Sequence, residues 1–172
     1  VRGVDPGDLG AKLATQGPTR RSGLALLVKD RQRLDPDALA ADRRRIEAFY
    51  RERGYYGARA GEVEVVPTRP GLAKVVFHVA EGTPVRVATV AVNGLDAAPE
   101  ARNVLPRLPI APGDVFTESR YDAARAAIHA ALVGNGWANA EVAQSARVVP
   151  EAGTAEVAYD VRPGPRWRFG AI

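Results

Sequence analysis

The chain has no cysteine and no methionine, only two histidines, and an aromatic content of 6%. Without cysteine there is neither a disulfide framework nor thiol chemistry, which is compatible with an oxidising compartment without establishing one. His78 and His129 stand alone, with no HExxH or other paired-histidine spacing, so a metal site has no ligand set to draw on. Ser22, Ser119 and Ser145 are few, and none lies in a G-x-S-x-G elbow. Lysine is nearly missing, 3 residues against 21 arginines, a bias that reads as genome composition. The densest basic run, Arg43-Arg44-Arg45, leads straight into Ile46-Glu47 and reads as a solvated helix face, with acidic lipid or an acidic partner as the other option. No apolar run approaches the roughly 18 residues of a membrane span. Arg20-Arg21 before Gly23–Val28 faintly suggests an export signal, but it is internal and its apolar run is too short. The expectation is a non-enzyme with no cofactor and no metal. Asp35 and Asp37 suit capping and first-turn positions of a helix. Asp42 falls on the apolar face beside Ile46, where a salt link to Arg45 or Arg86 is expected.

What the chain does have is an internal repeat. Ile46, Tyr50, Gly54, Tyr55, Ala58, Val75, Phe77, Val79 and Gly82 fall opposite Ile128, Leu132, Gly136, Trp137, Ala140, Val157, Tyr159, Val161 and Gly164, every pair 82 positions apart. A gap-free register that keeps apolar on apolar and glycine on glycine marks a tandem of one unit. Hydrophobic content of 46% and charged content of 26% over 172 residues suit folded soluble units with modest cores.

In the second unit Val85 to Asn93 alternates as a strand. A short helical stretch follows over 98–108, then a loop from Pro109 to Phe116. Thr117 caps a longer helix with Tyr121, Ala124, Ile128 and Leu132 on one face, which Gly134 and Gly136 stop. Strands over 138–149 and 154–162 flank a turn at Pro150–Gly153. In the last strand Ala155, Val157, Tyr159 and Val161 face the core. The first unit repeats this: Asp35 caps and Pro36 opens a helix bearing Leu39, Ile46, Phe49 and Tyr50, followed by strands 62–66 and 72–80. Val1–Asp5 echoes Val92–Asp96 at an offset of 91, so an insertion of nine residues falls near Gln16 to Leu24. Only Val1-Arg2 would remain of the first unit's opening strand, and Trp167–Ile172 lines up with Val85–Val90 as the start of another. The expected organisation is a unit at 1–82 lacking most of its first strand, a second at 83–164, and the beginning of a third at 165–172, all cut from a longer protein.

This order resembles the POTRA (polypeptide-transport-associated) domain. The carrying motifs are Asp42–Ala58, similar to the family's helix ending "Y…GY..A"; Val79–Val87, similar to "V.EG.P..V"; Val90–Gly94, similar to "I.v.G"; and Pro112–Phe116, similar to "p.Gd.f". Arg162–Gly170 looks most like the junction of TamA-type members of the barrel-assembly superfamily. Trp137 and Trp167 stand where the family usually has Tyr or Phe, and the insertion near Arg20 falls outside all of these motifs. The resemblance implies an α+β fold, each unit β-α-α-β-β with a three-stranded mixed sheet covered on one face by two helices.

It further implies a periplasmic arm of an outer-membrane β-barrel protein, tethered through a barrel beyond this segment, that assembles, inserts or translocates other proteins. Expected partners are unfolded outer-membrane or secreted clients and an accessory periplasmic or inner-membrane protein, with no nucleic acid and no cofactor. In the family the second strand is a sheet edge, so the candidate docking residues are Glu62, Val63, Glu64, Val65 and Val66, with Glu141, Val142 and Ala143 in the second unit. Unpaired backbone groups there would accept an extended client by main-chain hydrogen bonding. Glu62 and Glu64 equally fit simple edge protection. Gly82-Thr83-Pro84 is the candidate joint, restricted by the proline, and Gly164, Pro165, Trp167 and Phe169 form a second. Three alternatives stay open: a two-partner secretion transporter, an architectural spacer, and a KH-like nucleic-acid module suggested by Gly54-Tyr55-Tyr56-Gly57. A KH loop, however, joins two helices, whereas this one comes after a helix and precedes a strand.

Overall fold

The 82-residue offset reappears in the element boundaries. The computed structural model describes residues 25–29, 36–69 and 72–167, and the chain divides into two units, Val1–Thr83 and Pro84–Ile172. The first contains β1 (Ala25–Lys29), α1 (Pro36–Glu52), β2 (Arg59–Arg69) and β3 (Leu72–Ala80). The second contains β4 (Arg86–Asn93), two 3₁₀ helices (Leu95–Ala97 and Pro99–Arg107), α2 (Glu118–Gly134), β5 (Glu141–Val149) and β6 (Thr154–Arg162). Both α-helices have 17 residues and both closing strands 9, and each pair starts 82 positions apart.

The helices end in the same way for a stereochemical reason. Gly54 and Gly136 adopt left-handed backbone, φ 89° and 91°, which L side chains resist. The following amides turn back onto the helix: Tyr55 N–H donates to Tyr50 O (3.0 Å) and Gly54 N–H to Arg51 O (2.9 Å). Trp137 N–H to Leu132 O and Gly136 N–H to Val133 O, both 3.0 Å, repeat the motif. This is a Schellman cap, and it places an aromatic ring back against the helix face. The G-Y and G-W pairs are therefore the end of a helix, and Gly57, with open space around it, belongs to the succeeding turn. At its other end α2 is capped as expected, Thr117 Oγ1 accepting from Arg120 N–H at 3.3 Å.

In the second unit the sheet order is β4-β6-β5, with β4 parallel and β5 antiparallel to β6. This is the expected mixed sheet, although β5 begins at Glu141 and not at Ala138, because Ala140 N–H closes a turn onto Trp137 O. Its core is Val85, Val87, Leu95, Ile110, Phe116, Ala124, Ile128, Leu132, Ala155, Val157, Tyr159 and Val161, all buried. The first helical stretch is 3₁₀, with Pro106 inside it.

The first unit differs in detail. Its sheet order is β1-β3-β2 and both pairings are antiparallel. The slot beside β3 is taken by Ala25–Lys29, running opposite to the parallel strand of the second unit. The sequence pairs Val28 with Ile110, in a loop, and so places no strand there. An apolar stretch next to an otherwise bare strand edge pairs with it, since unpaired backbone groups are costly. The Val1-Arg2 remnant and the insertion near Gln16–Leu24 lie outside the described residues, where α1 is the one helix on this sheet. The core beneath α1 gathers Ile46, Phe49, Tyr50, Ala58, Ala60, Val75 and Phe77.

The hairpins also differ, in a compensated way. β5 pairs with β6 without a break from Glu141↔Arg162 to Val149↔Thr154. β2 starts in the matching register, Ala60↔Val79 against Val142↔Val161, but closes at Arg69↔Leu72 after shifts between Ala60 and Val63 and between Pro67 and Arg69. Two residues absorbed as irregularities in β2 offset a connection two residues shorter, 70–71 in place of 150–153, so the overall offset stays at 82.

Candidate functional site: the sheet edges

A three-stranded sheet has two edges, and the strand orders place β2 and β5 at one edge of each sheet. The sequence-selected residues all lie on these strands: Glu62, Val63, Glu64, Val65 and Val66 on β2, and Glu141, Val142 and Ala143 on β5. Val63 is half-buried against the core, while Val65 is 39% exposed. Glu64 lies on the opposite, solvent face, where its carboxylate is 3.3 Å from His78 Nε2.

The base of β2 is held by α1. Arg43 donates through Nε (3.1 Å) and Nη2 (2.9 Å) to Ala60 O, and Ala60 N–H donates to Glu47 Oε1 (3.1 Å). Arg43 and Glu47 are four residues apart and so share one helix face. Together they satisfy both backbone groups that Ala60 turns away from β3. Sequence reasoning missed this clamp and assigned Arg43 to a solvated face. The i, i+4 spacing beside the buried Asp42–Ile46 face is the signal that was there to read.

Asp42 is fully buried, and Arg45 Nη1 lies 2.6 Å from its Oδ1. Of the two partners expected for Asp42, Arg45 is the one found. Arg86 instead donates to Gly113 O at 2.7 Å. That contact belongs to a loop laid along the start of β4: Val87 N–H donates to Asp114 O, Gly113 N–H to Val87 O and Phe116 N–H to Val85 O, at 2.8–2.9 Å. The P-G-D-V-F motif thus covers part of the far edge of the second sheet.

β5 has a different link to its helix. Gln144 Nε2 donates to Asp122 Oδ1 at 2.8 Å, a side-chain contact that leaves the strand's backbone untouched. Arg125 and His129 occupy the helix positions of Arg43 and Glu47 and are exposed. Among the described residues no side chain bonds to the β5 backbone.

Two buried tyrosines tie the elements together. Tyr50 Oη donates to Glu81 Oε1 at 2.9 Å, and burial, reinforced by that carboxylate, pushes its phenol up to about 12. Tyr159 Oη donates to Tyr121 O at 3.0 Å, and burial raises its phenol as well. Among the described residues no three His, Asp or Glu side chains converge as metal ligands, and no helix is long and apolar enough to cross a membrane.

At the candidate joints Gly82 and Gly164 share left-handed backbone, φ 69° and 70°. After Pro165, Arg166 reaches back to Glu100 (2.9 Å) and Asn135 O (3.2 Å), and Trp167 N–H donates to Gly136 O (2.8 Å) with its ring 58% exposed. Phe169 lies outside the described residues.

Several solved structures are similar to this chain. Among solved structures, the third to fifth POTRA domains of Haemophilus influenzae BamA match at 19% identity with a TM-score of 0.48, over 96% of this chain and 63% of theirs. The fourth POTRA domain of the same protein matches at 25% identity, TM-score 0.37, over 48% of this chain and 92% of its own. The first three POTRA domains of Omp85 from Anabaena match at 17% identity, TM-score 0.39, over 74% of this chain and 51% of theirs. The chain therefore spans less than two thirds of the first of these. No curated protein matches significantly. The POTRA family, described as surface antigen variable number repeat, matches twice, at residues 21–82 and 85–164. With both matches covering most of the sequence and each taking in one sheet and its helix, the chain belongs to the POTRA family.

Proposed function

We propose that this chain is a periplasmic, protein-binding arm of an outer-membrane β-barrel protein that assembles, inserts or translocates other proteins. Units at 1–82 and 83–164, with 165–172 opening a third, would carry clients toward a barrel elsewhere in the full protein. Clients are unfolded outer-membrane or secreted polypeptides, and an accessory periplasmic or inner-membrane protein is a second class of partner. The role is non-enzymatic and needs no cofactor.

One observation carries this reading: an edge strand of nine residues whose outer backbone groups have no partner among the described residues. An extended client that adds to such an edge is held by main-chain hydrogen bonds, which make little demand on its sequence. That suits a protein with many clients. Gly82-Thr83-Pro84 supports it, because a proline-restricted joint limits how freely the edge is presented; Thr83-Pro84→Gly-Gly should broaden the size distribution in small-angle scattering. Trp167, exposed beyond Gly164-Pro165, is the matching contact for the third unit.

The test is titration with a urea-unfolded outer-membrane β-barrel polypeptide diluted into buffer. Binding should persist in high salt and survive Glu141→Gln. Ala146→Pro should weaken it, because that removes one outward N–H and leaves the β6 ladder intact. Absence of binding by the unaltered chain would favour the architectural spacer.

A further inference from the structure

We infer that the two edges are not equivalent: the Arg43–Glu47 clamp closes the first, and clients dock on β5 of the second unit. The inference rests on the docking reading above and adds where docking occurs and what restricts it.

The pairing geometry identifies which β5 groups are available. In an antiparallel ladder, residues alternate between those bonded to the partner strand and those whose N–H and C=O point away. Ala60 points both groups away from β3, since Glu47 and Arg43 take them. Its pair Ala60↔Val79 recurs 82 residues on as Val142↔Val161. Val142 therefore turns its N–H and C=O outward, and the unbroken register extends this to Gln144, Ala146 and Val148. Four consecutive outward positions make a regular docking rail.

β2 has no such rail. Its first outward position is occupied by the clamp, its register slips after Ala60 and again after Pro67, and Pro67 brings no N–H. Glu62 and Glu64 add charge beside it. These are the devices by which edge strands avoid pairing. The second unit keeps Arg125 at the place of Arg43 but has His129 at that of Glu47, so the carboxylate that would take up the Val142 N–H is gone. The opposite edge, at the start of β4, is covered by the Gly113–Phe116 loop. The occupant is an extended polypeptide segment, since only an unpaired main chain matches alternating donors and acceptors along a strand.

The matched positions Val65, opposite Val75, and Ala146, opposite Val157, allow a direct comparison. A photo-crosslinking side chain is placed at each in turn in the full-length protein, and a urea-unfolded outer-membrane β-barrel polypeptide is the probe. Capture at Ala146 should exceed capture at Val65 by about tenfold or more, the ratio expected from a single well-made interaction. Equal capture, or preference for Val65, would overturn this inference and leave edge docking standing. Capture at neither would overturn edge docking and this inference with it. His129→Glu, a surface change that restores the Arg–Glu pair, should reduce capture by a crosslinker at Ala143 several-fold; unchanged capture would refute the clamp as the cause.

Discussion

Asp42 is the one acidic side chain buried completely among the described residues, and Arg45 Nη1 lies 2.6 Å from its Oδ1. Arg45→Ala removes one partner of this buried carboxylate and should destabilise the first unit by roughly 1–3 kcal/mol. Arg44→Ala next to it, on the exposed face, should stay within about 0.5 kcal/mol; urea unfolding of both variants tests the contrast. Gly94 closes the G of the strand-end motif because its φ is 82° and a Cβ would stand 2.1 Å from Val161 O. Gly94→Ala therefore combines left-handed strain with a backbone clash and should cost on the order of 3 kcal/mol or more. Gly57→Ala, with no atom within 4 Å of the added carbon, serves as the control. Tyr50 carries a pH dependence. Its phenol titrates near 10 when unfolded and about 12 when folded, so the folded state binds the proton more tightly. The resulting stability is complete below about pH 10 and is lost as pH rises toward 12. Tyr50→Phe should lose about 1 kcal/mol at neutral pH and show a shallower alkaline decline, read as the thermal midpoint against pH.

The elements differ in how much of them the sequence revealed. Both α-helices and both closing strands could be read from periodicity, because caps and alternation are local: Pro36 opens α1, Thr117 caps α2, and Gly54 and Gly136 end them. Thr117→Ala should cost α2 about 1 kcal/mol. Edge position on β2 and β5 came through resemblance and agrees with the strand order. β1 could not be read, since so short a stretch, four apolar residues and a lysine, becomes a strand only when a neighbour's edge is vacant, which is a tertiary fact. The clamp was hidden likewise, because it joins helix side chains to a backbone 13–17 residues away. The β2 irregularities were concealed by compensation, two residues gained in the strand against two lost in the turn. Glu47→Ala should raise the exchange rate of the Ala60 amide well above that of neighbours paired to β3, and unchanged protection there would rule the clamp out.

For the whole molecule, the sequence duplicates one module, and the duplicates have diverged at their edges while keeping their cores. Ile46 and Ile128, Val75 and Val157, and Phe77 and Tyr159 remain buried in pairs. The clamp, the strand irregularities and the hairpin length do not repeat. A clamped β2 edge and an open β5 edge are what a division of labour between the two units requires. The decisive experiment is residue-resolved amide exchange on β5 with and without an unfolded outer-membrane β-barrel polypeptide. Docking on β5 predicts new protection in alternation, at Val142, Gln144, Ala146 and Val148, with the intervening amides already protected by β6. Protection appearing on the helix faces, or on β2 in preference to β5, would contradict it.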